Sequence, residues 1–291
     1  MPDVPNAPID ATNSRENGSS VQHLVELGYE DPLAVANQQQ REAAFLEDSL
    51  KQAQRLLESG EVAGAIDLLK RLTKQSPDAS GPHRLLARAY FRAGELDATV
   101  GELRWLEMHG FEHAEYAMLR GTIALRRREL SEAIDQAEYA RHLHDPLPAA
   151  DVILGEAHYR CGKVQSAEAA YHRALDAESR SVAAFAGMAA VCLRRGDFEA
   201  SVDWALQALE VDMRLPAVHY RLGLALLRIG RLVEAATALE MAAQLSPQLA
   251  GPHRWLAKIY ESSDVPRAAE HCRLGHEIVA HRRGERSRRR A

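Results

Sequence analysis

PAVHYRLGLALLRIGRLVEAATALEMAAQLSPQL, residues 216–249, reads as two short helices and the turn between them. Leu222, Gly223, Ala225 and Leu226 recur at helical spacing, the pattern breaks at Gly230, and Leu232, Ala235, Leu239 and Ala242 resume it. Apolar or small residues three and four apart share one helix face, so each half is amphipathic. Gly230 stands where the first helix must stop, because glycine takes a left-handed backbone without steric penalty. Two such helices cannot bury both apolar faces alone; they need neighbours of the same kind.

The neighbours are present on both sides, in steps of 34 residues. Counting from Leu46, seven units follow without insertion: 46–79, 80–113, 114–147, 148–181, 182–215, 216–249 and 250–283. Gly60, Gly94, Gly162, Gly196 and Gly230 share the turn position. Ala65, Ala133, Ala167, Ala235 and Ala269 share a position on the second helix, and Ala53, Ala87, Gly121, Gly155, Ala189, Gly223 and Ala257 one on the first. Small residues there let the two helices of a unit approach, where a bulkier side chain would cost about 1–3 kcal/mol. Units 1, 3 and 7 depart from the pattern, with Gln52 at an apolar position, Arg128 in place of the turn glycine, and Asp264 at the turn followed by Pro266.

These residues resemble the tetratricopeptide pattern W-x2-L-G-x2-Y, A-x3-F, P. The sixth unit matches it with His219, Leu222-Gly223, Leu226, Ala235, Leu239 and Pro247. The fourth matches with Leu154-Gly155, His158, Ala167 and Tyr171, the second with Leu86-Ala87, Tyr90 and Leu103, and the seventh with Leu256-Ala257, Tyr260 and Ala269. The resemblance implies an all-α chain, an α-solenoid wound as a right-handed superhelix of helix-turn-helix repeats.

Composition agrees with a repeat built from small aliphatic residues: 46% hydrophobic, only 5% aromatic, and a formal charge of -5. That charge excludes a binder driven by bulk attraction to nucleic acid. Cys161, Cys192 and Cys272 form no close pair, which excludes a disulfide framework and a zinc site. Residues 1–20 are polar and Pro-rich and are expected to be disordered. Residues 21–45 are expected to hold a short helix to about residue 36 and, capped by Asn37, the start of the first repeat helix. The end, 284–291, is a basic tail expected to keep the last unit solvated. No apolar run spans a bilayer and the start does not read as a secretory signal, so the expected compartment is the cytoplasm.

The sharpest candidate site is a ladder. Arg92, Arg126, Arg160, Arg194 and Arg228 occupy one position in five consecutive units. At about 100° per residue, that position lies opposite the core face of the first helix. In tetratricopeptide proteins that side lines the inner groove, so the resemblance places the ladder there. The same side carries Arg84 and Arg88 in unit 2, Arg254 and Lys258 in unit 7, and Met118, Val152, Tyr220 and Leu224 between. The expected ligand is a protein or peptide, acidic in part and gripped by guanidinium–carboxylate pairs. The competing explanation is structural: a cation in the last turn of a helix is favoured by the dipole at about 0.3–1 kcal/mol. If the ladder serves a ligand, reversing Arg126, Arg160 and Arg194 to Glu should leave melting nearly unchanged and abolish capture.

Other constellations point away from chemistry. The chaperone-tail clamp of some tetratricopeptide domains needs a basic–Asn–Asn–basic set over three units, which no three units here supply. His142 and His144 sit where a helix ends and diverge by about 200° along it. His83, His219 and His253 share a position and read as partly buried aromatic substitutes, and the repeated Gly-Pro-His-Arg at 81–84 and 251–254 reads as helix-start chemistry. No phosphate loop, nucleophile elbow or paired-carboxylate motif appears. The chain is therefore expected to be a non-catalytic adaptor without metal or cofactor, not inserted in a membrane, with self-association left open.

Two rival readings stand beside it. His23-Leu-Val-Glu-Leu-Gly-Tyr-Glu-Asp-Pro32 is similar to the junction leading into the tetratricopeptide tails of some bacterial alkaline-phosphatase-superfamily proteins. That similarity implies the detached recruiting region of a separately encoded hydrolase or transferase. The other is an RNA-binding solenoid, using the groove and the arginines of 282–290, whose binding would fall steeply with salt.

Overall fold

The structure, a computed structural model, describes residues 32–288. The expected disorder of 1–20, the helix proposed from residue 21, nearly all of the junction at 23–32 and residues 289–291 lie outside the described residues. Among the described residues there are fourteen α-helices and no strand. They divide into two compact units between Phe111 and Glu112.

The first unit holds α1 (Pro32–Ser59), α2 (Val62–Gln75), α3 (Ser80–Ala93) and α4 (Leu96–Met108). Helix α1 already includes Pro32, five residues before the Asn37 expected as its cap. Only the later part of α1 packs: Ala53 and Leu57 join Ala65, Ile66 and Leu69 of α2 and Leu85, Leu86, Ala89 and Tyr90 of α3 in one core.

The second unit holds α5 (Ala114–Arg127), α6 (Leu130–Leu143), α7 (Pro148–Arg160), α8 (Val164–Ala177), α9 (Val182–Arg195), α10 (Phe198–Val211), α11 (Pro216–Arg228), α12 (Leu232–Leu245), α13 (Ala250–Tyr260) and α14 (Val265–Arg288). Each odd-numbered helix packs against the helix that follows it, and α5, α7, α9 and α11 also touch in succession. Each hairpin thus contributes a first helix to one side of the stack and a second helix to the other. The last helix runs on through Arg288, into the stretch expected as a solvated tail.

The turns follow the backbone chemistry. Gly60, Gly94, Gly162, Gly196 and Gly230 all have positive φ. In α5 the same left-handed place falls to Arg128, at φ 65°, the one non-glycine with positive φ among the described residues. At the last hairpin Asp264 takes over differently: its carboxylate accepts the Arg267 amide at 3.1 Å, capping α14, with Pro266 second in the helix.

The small positions prove tighter than a helix–helix approach alone requires. Tyr171 of α8, 1% exposed, lies between Gly155 of α7 and Gly187 of α9. A methyl group at Gly155 would come within 2.5 Å of Tyr171 Cε1, and one at Gly187 within 2.2 Å of its Cζ. Burial, with the Glu156 carboxylate that its hydroxyl meets at 3.4 Å, drives the Tyr171 phenol far above its ordinary range.

Candidate functional site

The side of each stack formed by the first helices carries the candidate residues. In the first unit Arg84, Arg88 and Arg92 of α3 are all exposed. In the second, Met118 of α5, Val152 of α7, and Tyr220 and Leu224 of α11 are half-buried. Arg126 of α5, Arg160 of α7, Arg194 of α9 and Arg228 of α11 are exposed near the ends of their helices.

Three of the five ladder arginines are bonded within the repeat stack. Arg160 Nη1 donates to the Leu125 carbonyl at 2.8 Å, and Arg194 Nη1 to the Tyr159 carbonyl at 2.6 Å. In the first unit Arg92 Nη1 donates to the Leu57 carbonyl. All three acceptors lie in the last turn of the preceding first helix, where the i+4 amide is missing and a turn amide, from Gly60, Arg128 or Gly162, is the other donor. Each arginine therefore caps the helix one repeat back, a linkage invisible to a dipole argument made on its own helix.

This geometry also explains the preference for Arg. Arg160 donates through Nε to Glu156 at 2.5 Å while Nη1 holds Leu125, and Arg194 lays its guanidinium 3.6 Å above the Tyr159 ring centroid. A planar fork serves two partners in fixed directions, which a lysine ammonium does not. Arg228 is placed otherwise, 5.6 Å from the centroid of the Phe198 ring.

Arg254 and Lys258 of α13 border a cleft of about 730 Å³ shared with α14, whose Cys272 and His276 also line it. Lys258 Nζ sits 4.9 Å from the centroid of the Trp255 ring. Tyr220 of α11 adjoins this cleft, its ring 2.8 Å from where a Cβ on Gly251 would stand.

The histidines expected as aromatic fillers are buried, and they also bond. His83 Nδ1 meets Glu102 at 2.7 Å, its ring stacks 3.6 Å from Trp105, and His219 Nε2 meets the Met213 carbonyl at 2.9 Å. His253 and His271 face each other Nδ1 to Nδ1 at 3.0 Å, so one proton serves both nitrogens. Burial, and then the His271 charge, lower the His253 pKa. Among the described residues no group of three or more His, Cys, Asp or Glu side chains is arranged to hold a metal ion.

Two features escaped the sequence reading. Asp151, 3% exposed, occupies the position that is histidine in three other units and pairs with Arg173 of α8 at 2.8 Å and Arg141 of α6 at 3.5 Å. The second is an apolar cleft on the opposite side of the stack, between α10 and α12. Its signal was in one column: Leu206 stands where Lys70, Arg104, Glu138, His172 and Glu240 occupy five other units, Leu274 being the other apolar member.

Comparison with known proteins agrees with this architecture. Tetratricopeptide repeat models match residues 56–123, and 153–216 with 207–250, together more than half of the chain. No curated protein matches. Among solved structures, the APC/C hetero-tetramer Cut9–Hcn1 aligns with a TM-score of 0.68 at 15% identity, over 74% of this chain but only 42% of its own. A tetratricopeptide repeat protein from Parabacteroides merdae aligns with a TM-score of 0.62 at 16% identity, over 80% of this chain and 93% of its own. MamA from Desulfovibrio magneticus reaches 0.50 at 21% identity, over 57% of this chain and 95% of its own. At these identities the likeness is one of fold. No helix among the described residues is long and apolar enough to cross a membrane. On its repeats, its helical hairpins and these matches, the chain belongs to the tetratricopeptide repeat family.

Proposed function

We propose that the chain is a non-catalytic scaffold that binds a segment of another protein along the first-helix side of the stack. The observation that carries this reading is the row of half-buried Met118, Val152 and Tyr220 on α5, α7 and α11, with Ala186 of α9 between. Half-buried apolar side chains on neighbouring helices form a floor, and a ligand covering them gains about 25 cal/mol for each Å² removed from water. Arginines flank the floor, so carboxylates on the bound segment would find donors. Guanidinium groups already bonded to carbonyls retain further N–H donors, five being available on each. The ladder in this reading both joins the repeats and edges the groove.

The test is affinity capture with the whole chain as bait, compared with the double variant V152E/Y220E. Capture of a defined partner is expected from the parent and is lost in the variant, with circular dichroism unchanged. Equal capture by both proteins would rule out the first-helix side as the binding surface.

A further inference from the structure

The second unit carries another interaction surface, independent of the proposed groove and on the opposite side of the stack. Helices α10, α11 and α12 enclose an open cleft of about 540 Å³. Leu206, Leu209 and Met213 form one wall, Leu222 and Leu226 the floor, and Met241 the other wall. The floor is buried, but Leu206 is 50% exposed and Met213 68% exposed. Val211, Leu232 and Val233, on the same two helices, are exposed as well. Exposed apolar side chains gathered at one cleft mark a contact surface more often than a solvated face.

The repeat itself shows that this patch is not demanded by folding. At the position of Leu206 five other units carry Lys70, Arg104, Glu138, His172 and Glu240, with Leu274 in the last. Those five hairpins form with polar groups there. Where α10 meets α12, apolar residues on both second helices face one opening.

Charge selects the occupant. Helix α10 carries Glu199, Asp203 and Glu210, helix α12 carries Glu234 and Glu240, and neither has a lysine, arginine or histidine. Glu210 and Glu234 line the cleft itself. Arg231, the cation at its edge, is bonded to Glu234 at 2.7 Å, and Glu240 accepts the Tyr260 hydroxyl at 2.7 Å. The helical part of the wall, Val202 to Glu210, measures roughly 12 Å along α10, a little over two turns, with Met213 just past its end.

We infer that this cleft receives a basic amphipathic helix of a partner protein, with apolar residues at i, i+3, i+4 and i+7 in the cleft and Lys or Arg against the carboxylate rim. Helix-in-groove recognition supplies the apolar contacts, and the rim sets the sign of the partner. The basic end of this chain lacks the apolar stripe, because 281–290 reads HRRGERSRRR.

The test uses fluorescein-labelled peptides of about 14 residues, roughly four turns. One carries the Leu stripe with Lys elsewhere, a second the same stripe with Glu, and a third is the Lys peptide scrambled. Anisotropy titrations use the full chain near physiological ionic strength. The striped Lys peptide is expected to bind at least about tenfold tighter than the other two. L206K/M213K and, separately, Glu210→Lys are expected to weaken it by a similar factor with helicity intact, since all three side chains are exposed. V152E/Y220E is expected to bind as the parent does. Equal binding by parent, L206K/M213K and Glu210→Lys would overturn the inference, as would equal affinity for the Lys and Glu stripes. A dimer in sedimentation equilibrium that L206K/M213K converts to monomer would overturn it too, by making a second copy the occupant.

Discussion

Arg194 holds Tyr159 twice: its Nη1 donates to the Tyr159 carbonyl at 2.6 Å while its guanidinium lies 3.6 Å over the Tyr159 ring. One side chain thereby caps α7 from α9 and covers the aromatic face of the same residue. Arg160 does the first of these for α5, at the Leu125 carbonyl. Arg92, Arg160 and Arg194 are thus joints between successive first helices, whatever else they touch.

Removing one joint should be measurable. Arg194→Ala is expected to cost about 1 kcal/mol, from a charge-assisted hydrogen bond and a cation–π contact at an exposed site. Arg194→Lys should recover less than half, because an ammonium cannot stack and donate in the same fixed directions. Urea unfolding followed by circular dichroism checks both. It follows that reversing Arg126, Arg160 and Arg194 to Glu will lower the melting temperature, against the expectation drawn from sequence alone. Unchanged melting would show that these hydrogen bonds carry no stability.

Arg128 offers the opposite change. It occupies the left-handed region at φ 65°, where the other first-helix turns of this kind use glycine. A side chain there costs about 1–2 kcal/mol. Arg128→Gly is expected to stabilise the chain by about 1 kcal/mol, the rest being offset by the greater freedom of glycine when unfolded. Urea titration of the two proteins reads the difference, and a destabilised variant would mean that Arg128 makes compensating contacts.

Gly187 tests the packing. A methyl there would lie 2.2 Å from Tyr171 Cζ, and the ring has no room to retreat because Gly155 is on its other side. Gly187→Ala is expected to cost about 3 kcal/mol, the upper end of ordinary overpacking. Adding Tyr171→Leu should restore part of it, whereas Tyr171→Phe should not, since the clash is with the ring. Thermal melts of the single and double variants decide this.

The His253–His271 pair predicts a pH dependence. Burial lowers the His253 pKa below its ordinary value, so the unfolded chain binds its proton at higher pH than the folded chain. Its effect is therefore absent above pH about 6.5, and stability is lost as the pH falls from there toward the lowered folded value. His253→Phe, which copies Phe185 at the same position of α9, should flatten this part of the profile. Melting temperatures of parent and variant from pH 7.5 to 5.5, a span of about two units around the ordinary histidine value, provide the measurement. Parallel profiles would remove the pair from the explanation.

Helix spacing, turn glycines and the placement of the ladder off the core were readable from single residues, because each depends on local backbone geometry. The acceptors of the ladder were not readable. Leu57, Leu125 and Tyr159 offer backbone carbonyls, which carry no side-chain signature and lie 35 residues from their arginines. Asp151 was missed for a related reason: its partners Arg141 and Arg173 sit on two other helices, and only packing joins them. Asn37 was misread as a cap because asparagine suits a cap yet is tolerated inside a helix such as α1.

A period of 34 residues, repeated from Leu46, was enough to establish paired helices, their apolar faces and the family, since a stack of identical hairpins has essentially one way to bury those faces. Which charged groups are consumed by the stack and which surfaces stay open followed only once the helices were in place. Capping, ring stacking and cleft formation between α10 and α12 depend on distances between residues a full repeat apart. Those distances are set by packing, and a column of letters records the repeat but not what lies across it.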